Sequence, residues 1–255
     1  MGRCRVNILV SNDDGILAGG IKLLEGVCRD VGDGVTVVAP DRQQSAASHA
    51  LTMGRPLRPL RLAADRYQVD GTPTDCVLIA LEVILDTRPD FVFSGVNHGA
   101  NMGEDVLYSG TVAAAMEGLA VGIPSMAISY VGYDGDHMES QRDWLKKLIE
   151  DVVKVRDFPE ETLLNVNLPP IPGDEIRGIR VTTLGRRVFS ESLKRMEDPW
   201  GRETFWIGGG KSSWSGGDDS DFRAIAEGYI SVTPLHVDLT NYRLLESVRA
   251  WKLGQ

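Results

Sequence analysis

Asp13 and Asp14 are adjacent carboxylates in the run Ser11-Asn12-Asp13-Asp14-Gly15, directly after the apolar stretch Val6 to Val10. Two acids at the end of a buried strand need positive charge beside them, and carboxylate oxygens suit a hard divalent cation. Neighbouring side chains of a strand point to opposite faces. Both acids therefore reach one ion only where the strand ends and the chain turns, a turn Gly15 permits. The plainer alternative is that one of them caps a helix, a position Asp favours.

Other chemistry-bearing residues sit in loops that follow apolar runs. After residues 35–39 comes a loop with Asp41, Ser45, Ser48 and His49; after residues 91–94 comes one with Asn97, His98 and Asn101, whose amides offer neutral oxygens. Ser109-Gly110-Thr111 opens a small-residue segment. Free N–H groups at a helix start bind phosphate, and either hydroxyl there can serve as a cap instead. Ser, Asn and Gly populate turns anyway, so each loop alone says little; parallel strands bring such ends together. His49 and His98 are the histidines in these loops able to move a proton. The chain lacks a Walker-type phosphate loop and a GxGxxG after the first strand, which argues against a nucleoside triphosphatase or a dinucleotide cofactor.

The elements that must position these residues alternate. Apolar runs at 6–10, 35–39, 91–94, 125–129 and 163–168 read as buried strands. Helical spacing occupies residues 16–28, 72–85, 111–121 and 139–155, with Thr72 as N-cap and Pro73 in the first turn of the second helix. Strands separated by helices imply parallel pairing with right-handed crossovers, hence a doubly wound, Rossmann-like sheet. The periodicity breaks at about residues 171–228, where 179–184 and 203–207 alternate like an antiparallel pair within an arm that also carries Trp200, Trp206 and Trp214. A strand at 229–234 and a helix at 239–251 close the chain.

Bulk properties narrow the partners. The 255 residues carry 27 Lys and Arg against 36 Asp and Glu, a net charge of −9, which disfavours broad contact with nucleic-acid polymers or anionic membranes. A small phosphorylated ligand stays compatible, since a metal and a few N–H groups supply local positive field. Cys4, Cys28 and Cys76 are odd in number and far apart, unlike a disulfide framework or a zinc cluster, and the amino end shows no signal-peptide pattern. A cytoplasmic location is expected.

Taken in order, several motifs add up to a family resemblance. They are Val10-Ser11-Asn12-Asp13-Asp14-Gly15; Ala39-Pro40-Asp41-Arg42 with Ser45; Gly71-Thr72-Pro73-Thr74-Asp75-Cys76; Ser94-Gly95-Val96-Asn97 with Gly99 and Asn101; Tyr108-Ser109-Gly110-Thr111-Val112; Asn165-Val166-Asn167-Leu168-Pro169; and Glu227-Gly228-Tyr229-Ile230-Ser231-Val232-Thr233-Pro234-Leu235. The chain resembles the survival protein SurE family of metal-dependent nucleotidases over nearly its whole length, most loosely from about Arg187 to Asp219. The resemblance implies one α/β domain over residues 1–255, a three-layer Rossmann-like, mostly parallel sheet. Its core would cover about 1–170 and 229–255, with a β-rich arm over about 171–228 and a C-terminal segment exchanged between subunits of a homodimer or homotetramer. It implies removal of phosphate from nucleoside 5′- or 3′-monophosphates, and in some members cutting of short polyphosphate. It also implies one divalent ion per subunit, magnesium or manganese, on Asp13, Asp14, Ser45 and Asn97. Attack by a metal-activated water is then expected, with Asn101, Ser109, Gly110 and Thr111 on the phosphate and Asp13, Asp14, Asn101 and Ser109 as the catalytic set. A phospho-aspartate on Asp13 or Asp14 is the rival mechanism, disfavoured because a metal-bound carboxylate is a poor nucleophile. A nucleotide sensor without turnover is the rival class, and it has no use for paired acids.

Overall fold

The computed structural model describes residues 5–132, 134–190, 193–207, 211–251 and 253. Its first half runs β1 (Asn7–Ser11), α1 (Gly19–Val31), β2 (Gly34–Pro40), β3 (Pro59–Ala63), β4 (Arg66–Val69), α2 (Pro73–Ile79), β5 (Phe91–His98), α3 (Gly110–Ala120), β6 (Ser125–Tyr130), α4 (Arg142–Val153) and β7 (Leu163–Leu168). The second half adds β8 (Ile179–Val181), β9 (Arg186–Ser190), β10 (Leu193–Glu197), β11 (Glu203–Ile207), β12 (Lys211–Ser215), α5 (Asp221–Ala226), β13 (Ile230–Leu235) and α6 (Leu245–Arg249).

Nine strands form one sheet in the order β3-β4-β2-β1-β5-β6-β7-β13-β8. The pairs from β4 to β7 are parallel, while β3 with β4 and β13 with β7 are antiparallel. Alternation along the strands builds the layers. Ile8 and Val10 of β1 pack with Ile21 and Leu24 of α1 and with Leu145 and Ile149 of α4. Leu9 between them packs on the other side with Cys76 and Val77 of α2 and Ala114 of α3. A sheet buried on both faces explains why its central strands read as continuous apolar runs. Helix α2 starts as its sequence predicts. The Thr72 hydroxyl accepts from Asp75 N (3.1 Å), the Asp75 carboxylate accepts from Thr72 N (2.8 Å), and Pro73 opens the helix, a capping box on the order of 1 kcal/mol.

Four expectations need correction. Residues 179–184 and Glu203–Ile207 do not pair with each other: β8 lies parallel to β13 in the main sheet, while β11 pairs with β10. The arm is therefore narrower than 171–228, since β8 and α5 pack with the core strand β13, and it consists of the two antiparallel ladders β9·β12 and β10·β11. The helix expected over 72–85 is regular only to Ile79 and continues as a wider turn, Ala80–Ile84. The helix expected over 239–251 reduces to a 3-10 turn, Tyr242–Leu244, and the short α6, both exposed. The hairpin β3–β4 carried no sequence signal, because β3 is exposed along its whole length and shows no buried alternation. Cys28 and Cys76 are free and buried; Cys4 and the amino end, like residues 208–210, lie outside the described residues. Among the described residues no helix is long and apolar enough to cross a membrane.

Candidate functional site

Strand order reverses between β1 and β5, since the chain builds outward from β1 through β2 on one side and from β5 through β6 and β7 on the other. Ligands of open α/β sheets bind in the crevice outside the strand carboxyl ends at such a point. Asp13 and Asp14 follow β1 there, and Asn97 and His98 end β5 beside them. A register shift in β5 between Ser94 and Asn97 buries Val96 and leaves Asn97 and His98 partly accessible at the strand end.

The turn that presents the acids is braced by Asn12, whose side chain donates to Gly15 O (3.0 Å) and accepts from Gly15 N (3.2 Å). Asp13 is buried at the amino end of α3. Its carboxylate accepts from the Thr111 hydroxyl, and a Cβ on Gly110 would stand 2.8 Å from Asp13 Cβ, so only glycine lets the helix start this close. Burial raises the Asp13 carboxyl from 3.8 to about 6, the Thr111 hydroxyl works against that rise, and the neighbouring Asp14 adds to it. Asp14 accepts from the His98 backbone N (3.0 Å), lies 3.1 Å from His98 Nδ1, and is approached by Gln43 Nε2 at 3.4 Å.

Among the described residues no lysine or arginine pairs with Asp13 or Asp14, and no group of three or more His, Cys, Asp or Glu gathers as a metal cluster. Two acids with neutral oxygens around them are instead a hard-donor set. Asn97 Nδ2 is spent on Gly99 O (2.9 Å), which leaves its carbonyl oxygen as a donor atom. The loop bearing Ser45 is tied to the site by Gln44 N donating to Asp13 O (2.8 Å), while Ser45 itself is exposed. The residues present fit a magnesium or manganese ion better than a soft metal.

Ser109 caps α3, its hydroxyl accepting from Val112 N (3.1 Å). Gly110 N–H and Thr111 N–H occupy the first turn of an eleven-residue helix, where N–H groups lack intrahelical partners and meet an anion favourably. Thr111 serves Asp13 rather than standing free for a phosphate. Asn101 is fixed from below: its N donates to Asn167 Oδ1 (3.0 Å), and its O accepts from Asn165 Nδ2 (2.8 Å) and Asn167 Nδ2 (3.0 Å). The Asn101 amide gives one hydrogen to Ser129 Oγ (2.8 Å) and keeps a second. The two loop histidines separate. His98 lies on Asp14, whereas His49 turns to Glu117 on α3 (2.9 Å). A cleft of about 320 Å3, lined by His49, Ser109, Ala113, Met116, Leu184 and Leu235 among others, runs beside the start of α3. Asn12, Gln43, Ser129, Asn165 and Asn167 were not singled out from sequence as site residues. The only trace of the last two was the motif Asn165-Val166-Asn167.

Fold and site define a doubly wound α/β protein with hard oxygen donors at its switch point beside an anion-accepting helix terminus. The chain belongs to the survival protein SurE family: residues 8–191 match the family model described as Survival protein SurE. It is 60% identical over 249 residues to 5′-nucleotidase SurE of Gemmatimonas aurantiaca, covering 96% of this chain and 98% of that protein. It is 46% identical over 250 residues to the protein of the same name from Methylococcus capsulatus, covering 98% and 99%. The crystal structure of the SurE protein from Aquifex aeolicus matches with a TM-score of 0.81 at 41% identity, covering 96% of this chain and 99% of that one.

Proposed function

We propose that this protein is a divalent-metal-dependent phosphatase that hydrolyses nucleoside 5′- and 3′-monophosphates to nucleoside and phosphate, and also cuts short polyphosphate. The observation that carries the reading is the buried Asp13 beside Asp14 at the amino end of α3, two acids that pair with no lysine or arginine among the described residues, where an anion is also welcome. The names of the relatives from Gemmatimonas and Methylococcus support nucleotide monoesters as substrate. Asp13, Asp14, Ser45 and Asn97 would hold one magnesium or manganese ion, which when bound supplies an activated water and neutralises charge on the phosphoryl oxygens.

The chain's own residues do the rest. Gly110 N–H, Ser109 and the free amide hydrogen of Asn101 hold the phosphate, with Thr111 holding Asp13 beside it. Asp14 orients His98, which protonates the leaving alcohol oxygen as the P–O bond breaks and water oxygen bonds to phosphorus, the water's own proton passing to solvent and the imidazole being reprotonated from it. The nucleoside lies in the cleft beside Ser109. On the same reading the protein works in the cytoplasm as a homodimer or homotetramer with exchanged C-terminal segments. Support comes from Leu239, Tyr242 and Trp251, which leave large apolar surface uncovered in the single chain.

Phosphate release from nucleoside monophosphates tests the proposal. Activity should vanish with a chelator, return with manganese or magnesium, and be lost in Asp13→Asn while the circular-dichroism spectrum is kept. Full activity in that variant overturns the assignment.

A further inference from the structure

Asp221 sits at the first position of α5, far in sequence from every residue of the site, and is completely buried. Its Oδ2 accepts from Gly103 N (2.8 Å); its Oδ1 accepts from Gly185 N (2.9 Å) and from Phe222 N (2.8 Å). One carboxylate thus joins three segments: the loop after β5, the root of the arm, and α5. Gly103 and Gly185 also touch directly. Gly103 has a φ of +54°, and a Cβ there would meet Gly185 O at 2.8 Å. Further along, Arg187 N donates to Glu104 Oε2 (2.7 Å) and Arg187 Nη1 reaches both oxygens of Asp105 (2.7 Å each). Gly103 is two residues from Asn101, whose backbone Asn165 and Asn167 grip from the other side.

We infer that Asp221 is a positioning residue: by locking Gly103 to the arm root, it holds Asn101 where the phosphate is received. The inference rests on the proposed phosphate hydrolysis. A buried carboxylate accepting three N–H groups is an expensive way to end a surface arm, because desolvating the charge is offset only if every bond is made. That cost is accounted for if the loop must be fixed to better than an ångström, as phosphate positioning requires.

Asp221→Asn is the selective perturbation. Its single oxygen keeps Gly185 and Phe222, two bonds, so its NH2 faces Gly103 N–H and releases that loop alone. The expected result is a rise of about tenfold in KM and in the dissociation constant of inorganic phosphate, roughly the loss of one charge-assisted hydrogen bond. Manganese affinity, measured without substrate, should be unchanged. In an Asn101→Ala background the same substitution should add nothing, because it acts through Asn101. Arg187→Gln, at a part-buried side chain, should move the same two constants in the same direction and covers the case in which Asp221→Asn does not fold. A lowered Tm with unchanged KM and phosphate affinity in these variants, or additive effects with Asn101→Ala, overturns the positioning role. Phosphate binding by calorimetry needs no turnover, so a wild-type protein that releases no phosphate would sink the proposed activity and leave this test readable.

Discussion

Replacing Asp13 by Asn should stabilise the metal-free protein and at the same time remove its response to metal. The size follows from the carboxyl group itself. Burial raises it from 3.8 to about 6, so the folded state binds the proton more tightly than the unfolded chain. Below about pH 4 both states are protonated and no penalty is felt; above about pH 6 both are ionised and the penalty is complete. The difference of roughly two units corresponds to about 3 kcal/mol, lost from the metal-free protein as pH rises through that window. Asn is neutral at every pH and keeps an oxygen for the Thr111 hydroxyl. In chelator, the variant should therefore exceed wild type by about 3 kcal/mol near pH 7.5 and by about 1 kcal/mol near pH 4.5. For a chain of this size the first figure is a Tm gain of roughly 6–12 °C. Adding manganese at neutral pH should raise Tm for wild type by mass action and leave the variant where it was. Thermal melts of both proteins in chelator at the two pH values decide the matter. A Tm difference that is the same at both would refute the claim that Asp13 is a desolvated carboxylate waiting for a cation.

Two further outcomes separate the roles of neighbouring residues. His98→Ala should lower kcat about a hundredfold through loss of proton donation to the alcohol, while His49→Ala, at a side chain held by Glu117, should change it by no more than about twofold; steady-state kinetics on one nucleotide compares them. Leu184→Asp places a charge on the wall of the cleft at a position already part exposed, so the free protein solvates it; KM for nucleoside monophosphates should rise about tenfold with hydrolysis of a small alkyl phosphate unaltered.

What the sequence made legible was whatever repeats with the period of an element or sits at its boundary. The apolar runs gave the central strands because a sheet covered on both faces leaves no polar interruption, and Thr72-Pro73 gave the start of α2 because capping uses residues adjacent in the chain. Asp13, Asp14 and Asn97 stood out for the same reason, as polar residues at the sharp end of apolar runs. The hairpin β3–β4 and the arm ladders were misplaced or missed. Strands β3, β10 and β11 are exposed along their length, and without burial there is no alternation to set register.

The site's supports were hidden for a different reason. Asn167 and Asp221 act on the backbone of residues 66 and 118 positions away, and a backbone N–H looks the same in every residue. No pattern of residue types marks a carboxylate that has found Gly103. Yet these contacts decide whether the loop carrying Asn101 and Gly103 is a rigid wall or a loose turn, and a buried acid with all its bonds made is worth more there than any exposed pair. The division of labour follows: the chain up to α3 supplies the groups that would touch metal and phosphate, and β7 and α5, further along, hold Asn101 and Gly103 in place. A substitution at Asp221 should therefore reach the phosphate before it reaches the fold.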